Sequence, residues 1–158
     1  MNNSGIPYFP LECQLDERFE LIEAEFGLAG FAIIVKLFQR IYGGRGYYCE
    51  WTNEVALLFG KRCGVGGSAV SEIVAAAIRR GIFDKDIYDR YGVLTSRRIQ
   101  EQYFEAVSRR KIVNVKNEYL LLCNTLLPKN VDISAENVNN FAENADIFQQ
   151  SKGEERKE

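Results

Sequence analysis

The chain has 158 residues, 46% of them apolar, which is enough for one globular core, and a net charge of −2 at pH 7. It has no histidine, and its four cysteines (Cys13, Cys49, Cys63, Cys123) include no Cys-x-x-Cys pair, which argues against a zinc site or a disulfide framework. Met1–Gly5 lacks the features of a signal peptide, and no apolar run reaches the roughly 20 residues of a bilayer span, so the expectation is a cytoplasmic protein with reduced thiols and no membrane partner.

The near-zero net charge hides an asymmetry. Residues 1–57 carry 4 basic and 8 acidic groups, residues 58–116 carry 12 and 6, and residues 117–158 carry 4 and 8. A basic middle segment between acidic flanks is where a polyanion would bind.

Taken in order, Tyr8-Phe9-Pro10-Leu11 reads as an extended lead-in, because Pro10 pushes Phe9 out of helical space. Leu15, Phe19, Ile22 and Phe26 recur at steps of four, three and four, which predicts a first helix from about Asp16 with Gly27 at its end. From Phe31 to Tyr42 the polar residues are Lys36, Gln39 and Arg40, on one narrow stripe. A helix this apolar must be wrapped by other elements, so the second helix is the expected centre of the core.

Gly43-Gly44-Arg45-Gly46 stops that helix, and Tyr47–Trp51 has the aromatic content of a short strand. Thr52 is suited to cap a third helix with Val55, Leu58 and Phe59 as its inner face. A glycine-rich corner follows at Gly60–Gly67. Ser68 is then the expected N-cap of a fourth helix whose apolar set is Val70, Ile73, Val74, Ala77 and Ile78, closed by Arg79, Arg80 and Gly81.

Ile82-Phe83 and Val93-Leu94 read as the two strands of a hairpin, joined by the charged connection Asp84–Gly92. Thr95 or Ser96 caps a fifth helix running to about Arg110. Ile112–Val115 and Tyr119–Leu122 are extended or form a further short element. From about Lys129 the composition turns to Asn-rich and then fully polar, as expected of a linker or tail with a transient helix around Ala135–Phe148. The expected division is a domain over residues 6–122 and a linker or flexible tail over 123–158. The order of elements is that of a mostly α fold with a small β-hairpin, a winged helix-turn-helix, in which the third and fourth helices form the helix-turn-helix and the hairpin forms the wing.

Several short motifs carry a resemblance: Tyr8-Phe9, Glu25–Phe31, Arg80–Asp84, and Tyr91–Gln100 followed by Tyr103 and Ser108–Lys111. Over roughly residues 6–122 they resemble the N-terminal domains of the phage replisome-organiser group, related to DnaD-like primosome proteins. The resemblance implies a winged helix that binds DNA or self-associates during replication initiation, ahead of a variable linker and, in some members, a helicase-contacting domain.

Other motifs favour structural readings. Gly64-x-Gly66-x-x-Ala69 matches a dinucleotide fingerprint in form, but a helix rather than a strand precedes it. Asp84, Asp86 and Asp89 lack the further ligands and glycine of a calcium loop. Cys63 lies beside Lys61 and Arg62, yet no histidine is present to serve as a base. The expectation is therefore a protein without catalytic activity, metal or cofactor.

The basic segment supplies the candidate DNA contacts: Lys61, Arg62, Ser68 at a helix start, Arg79, Arg80, Arg97, Arg98, Arg109, Arg110 and Lys111. Against base readout, the outward side of the fourth helix is expected to show Ala69, Ser71, Glu72, Ala75 and Ala76, none of which pairs well with base edges. The expected partner is double- or single-stranded DNA. The alternative is a module that self-associates or docks a replication protein.

Overall fold

A computed structural model describes residues 4–123 and 126–133. The predicted helix at Ala135–Phe148, and the tail beyond it, lie outside the described residues.

Helix α1 (Glu17–Phe26) starts at Asp16, whose carboxylate accepts from the Arg18 amide at 3.0 Å, with Glu17 and Glu20 placed favourably at the positive end of the helix. The Gly27 N–H returns to Glu23 O at 2.7 Å, and α2 (Leu28–Gly43) begins at once. Ile33, Ile34, Leu37 and Ile41 of α2 are essentially inaccessible to solvent. Each such burial contributes about 1.5–3 kcal/mol. Helix α1 packs Phe19 and Ile22 against α2, and α4 (Gly67–Arg79) contacts both helices. Phe38 gathers Phe19 and Phe83 around it, with ring centroids 5.7 and 6.1 Å away.

Helix α3 (Asn53–Cys63) is capped by Thr52 Oγ1, which accepts from the Val55 amide. Its inner face differs from the expected one: Ala56, Phe59 and Gly60 are buried, while Leu57 and Leu58 are 64% and 57% exposed. The small residues turn inward because α3 lies close against α4. A Cβ on Gly60 would stand 2.9 Å from Val65 O and 3.2 Å from Gly67 Cα.

The predicted hairpin is built another way. Asp84 accepts from the Ile87 amide at 2.9 Å and starts a helix, α5 (Lys85–Tyr91), in place of the charged loop. Lys85 and Asp89 pair at i, i+4, and Gly92 closes the helix in the left-handed region. Ile82 and Phe83 are buried but form no strand. One backbone bond, Asp84 N–H to Thr95 O at 2.8 Å, is what links the two arms of the expected hairpin there. Strand β2 (Val93–Leu94) instead pairs antiparallel with β1 (Cys49–Glu50), matching Cys49 with Leu94 and Glu50 with Val93. The fold is mostly helical with a small antiparallel sheet, compatible with a winged helix in which a helix occupies the wing position.

Ser96 caps α6 (Arg97–Ala106), which ends four residues before the predicted Arg110. Strand β3 (Val113–Val115) and a 3-10 turn (Asn117–Tyr119) follow, and β4 (Val131–Ile133) pairs parallel with β3. Chain beyond residue 123 thus returns to pair with β3. Asn130 Nδ2 donates to Val107 O and Arg110 O, satisfying carbonyls beyond the end of α6.

The segment after β3 is held by buried polar side chains. Gln100, fully buried, donates through Nε2 to Thr95 Oγ1 at 3.1 Å and Tyr119 O at 2.6 Å, and accepts from the Leu121 amide at 2.8 Å. Thr95 Oγ1 in turn donates to Tyr47 O, and the Tyr47 hydroxyl accepts from the Lys116 amide. Burial pushes the Tyr47 phenol well above its ordinary range, so it stays protonated.

Replacing Gln100 with leucine strands three polar partners, one buried and two part-buried, and is expected to cost about 2–4 kcal/mol. Chemical denaturation reads that loss, and amide exchange should show Leu121 losing protection first. A second expectation concerns acid. The Arg18 side-chain hydrogen bond, reinforced by its charge, holds the Asp16 carboxyl below its ordinary value of 3.8. Its stabilising contribution is complete above that value and is lost as pH falls through the lowered one. Asp16→Asn should therefore flatten the acid limb of a stability–pH profile followed by circular dichroism.

Candidate nucleic-acid interface

Helices α3 and α4 form a helix-turn-helix around the glycine corner. Gly64 sits at φ 70°, ψ 23° and closes α3 by donating to Gly60 O and Lys61 O, a conformation that a Cβ disfavours. Helix α4 then starts at Gly66 rather than at the predicted Ser68, which lies inside its first turn. Because Gly66 has no side chain to accept from them, the first amides of α4 have no side-chain cap. Lys61 and Arg62 occupy the last turn of α3 beside this corner. Both are exposed and neither forms a salt bridge with a described residue. Two cations next to an uncapped helix N-terminus can hold a phosphate through backbone N–H groups and charge together.

The remaining candidate residues do not gather at this corner. Arg79 is exposed at the far end of α4, roughly 20 Å away at 1.5 Å per residue. Arg80 pairs with Glu25 at 3.3 Å, tying the end of α4 to the end of α1. Arg97 pairs with Glu101 one turn along α6. Arg98 pairs with Glu12 of the lead-in and, at 3.5 Å, with Asp16.

Arg110 points inward to the lead-in, donating to Ser4 O at 3.1 Å and Gly5 O at 2.7 Å, where the Tyr103 hydroxyl also donates to Ser4 O. Arg109 and Lys111, on either side of it, are exposed beyond the end of α6.

The acidic lead-in and first helix explain this division. Glu12, Asp16 and Glu25 sit beside the arginines that follow α4 and start α6, and Arg18 joins them by donating to Gly81 O at 2.7 Å. Nothing in the sequence singles out Arg18, because it lies in the acidic first third of the chain, remote from the basic segment.

Along α4 the exposed residues are Ser68, Ser71, Glu72, Ala75 and Arg79, with Ala69 half-buried. Ala76, expected on this face, is fully buried. The exposed face carries one cation and one carboxylate and no amide side chain, which disfavours reading base edges. On α3, the pair Leu57–Leu58 is the exposed apolar feature of the helix-turn-helix, with Leu57 close to Gly67 at the start of α4. Large-residue periodicity could not find it, because Ala56 and Gly60 are the residues that face inward.

No helix of the described residues is long and apolar enough to cross a membrane. No solved structure matches the chain. A protein of Listeria innocua serovar 6a, described as uncharacterized phage-related protein Lin1244/Lin1753, is 36% identical across 97% of this chain. The alignment takes in 54% of that protein, so the chain spans about half the length of its curated relative. Residues 8–99 match the family described as Lin1244/Lin1753-like, N-terminal, a stretch from the lead-in through the helix-turn-helix to the start of α6. The chain belongs to the Lin1244/Lin1753-like N-terminal family.

Proposed function

We propose that this domain binds DNA through phosphate contacts at the helix-turn-helix corner, as the N-terminal part of a phage or mobile-element protein acting in replication initiation. The observation that carries the reading is the uncapped start of α4 flanked by Lys61 and Arg62, two exposed cations without ion pairs among the described residues. Arg79 extends the contact along α4. The near-neutral face between these ends fits backbone binding rather than sequence readout. Support for a role in replication comes from the replisome-organiser resemblance of residues 6–122, with which the phage-related description of the Listeria protein agrees.

A second reading has its own support: exposed Leu57 and Leu58 on α3 fit self-association or docking of a replication protein. The two readings separate in one sample. Fluorescence anisotropy of the full chain with labelled duplex and single-stranded DNA across a salt series should show affinity falling steeply with salt. Lys61→Gln/Arg62→Gln should weaken binding to every sequence and reduce the salt slope by roughly 2, one unit for each phosphate no longer neutralised. Arg97→Gln/Arg98→Gln should change it much less, because those side chains line a cavity to which neither α3 nor α4 contributes. A discrete oligomer by light scattering, with no DNA binding even at low salt and dissociation by Leu57→Glu, would overturn the DNA reading and establish the second.

A further inference from the structure

The lead-in, the start of α1, the end of α2, Gly81-Ile82 and the first two turns of α6 line a cavity of about 440 Å³. That volume falls within the range of about 300–1,000 Å³ typical of small-molecule sites. Neither α3 nor α4 lines it, so it stands apart from the candidate DNA contacts. Part of the lining is aromatic. Phe9 stacks on Tyr42 with centroids 4.8 Å apart and meets Phe38 edge-on at 6.2 Å, and Leu15 and Ile82 extend the apolar surface.

The polar part comes from Arg18, from Glu12 of the lead-in and from α6, which contributes Arg97 and Arg98 and, a turn further on, Glu101. Arg97 and Arg98 line the cavity from the first turn of the helix, where the macrodipole disfavours cations, and no acidic residue stands in that turn to offset them. Ser96 Oγ takes the Ile99 amide and Ser96 O takes the Gln100 amide, so the amides of Arg97 and Arg98 precede the first intrahelical bond. The guanidinium of Arg98 uses one nitrogen for Glu12 and another for Asp16, and that of Arg97 uses Nε for Glu101. A guanidinium has five N–H donors, so both keep spare ones.

The Glu12 carboxylate, which belongs to the lining itself, already rests on Arg98. Its side chain is 59% exposed, and an exposed ion pair of this kind is weak and exchangeable.

We propose that this cavity is a binding site for a small aromatic acid, a flat apolar ring system bearing one carboxylate. The rings lie against Phe9, Phe38 and Tyr42. The carboxylate takes the place of Glu12 on Arg98 and receives the free amides at the start of α6. Glu12 is then an internal competitor, carried on the lead-in that forms one wall of the site. Aromatic contact and charge-assisted hydrogen bonds are both needed, so neither a neutral aromatic compound nor a simple carboxylate fills the site equally well.

The test titrates ¹⁵N-labelled full-length chain with 2-naphthoate, and in parallel with the neutral 2-naphthylmethanol, following amide signals by NMR. The expected result is saturable shifts centred on Gly81, Ile82, Arg97 and Arg98, with the neutral compound weaker by roughly tenfold. Glu12→Gln should tighten 2-naphthoate by roughly two- to fivefold, the worth of an exposed ion pair, and leave 2-naphthylmethanol unchanged. Leu15→Trp, which fills the cavity, should abolish binding of both. Equal affinities for the two compounds, shifts centred elsewhere, or weaker naphthoate binding by Glu12→Gln would overturn the assignment. Glu12→Gln carries the test alone if Leu15→Trp does not fold, because Glu12 is exposed and removing it leaves no buried group unpaired.

Discussion

Helix α2 is apolar on most of its circumference, and the rest of the molecule is arranged to keep it from water. Burial of Ile33, Ile34, Leu37 and Ile41 demands neighbours on several sides at once, which one partner helix cannot supply. Helix α1 supplies one by folding back at Gly27, and α4 supplies another. At its far end the lead-in covers it: the Ile6 amide donates to Tyr42 O at 2.7 Å, and Phe9 stacks on the Tyr42 ring. The same end of α2 therefore anchors the chain entry and supplies the aromatic part of the cavity. Burial also pushes the Tyr42 phenol up to about 12, so this surface stays uncharged at any ordinary pH.

Basic residues divide between holding the fold and remaining available. Arg18, Arg80, Arg98 and Arg110 each reach across the chain to a carboxylate or carbonyl far away in sequence or belonging to a different element. Exposed ion pairs of this sort contribute little stability each, so their role is to orient: they set the lead-in, α1 and α6 relative to one another. Lys61 and Arg62 do none of this. They form no ion pair with a described residue, at a corner where α4 begins without a side-chain cap. That separates them from the arginines of α6, although composition alone makes all of them look alike.

Buried hydrogen bonding extends the domain beyond the helix-turn-helix. Thr95 and Gln100 turn what would be a loose segment after β3 into one fixed at Lys116, Tyr119 and Leu121. Strand β4 then finds a partner in β3, and Asn130 closes the turn beyond α6. A polar network at this depth is costly when incomplete, so it specifies one path for the chain rather than merely tolerating it. Cys49, in the β1–β2 sheet, is held neutral by burial, with its thiol pushed up to about 12.

Local chemistry sufficed for everything that local physics decides. The wrapped second helix, the first helix from Asp16, the cap at Thr52, the glycine corner and the stop at Gly81 are all readable because period, capping and left-handed glycine act within a few residues. The helix over Lys85–Tyr91 was also written locally, in Asp84, the Lys85–Asp89 pair and Gly92, but its charge disguised it as a loop. Tertiary structure alone decided the rest. Which face of α3 turns inward depends on how closely α4 approaches Gly60. Which strand β2 joins depends on where β1 already lies. Whether a basic side chain is free depends on carboxylates up to 86 positions away, as for Arg98 and Glu12. The cavity belongs to that second group, because five separate segments meet to form it. No stretch of sequence holds more than part of it.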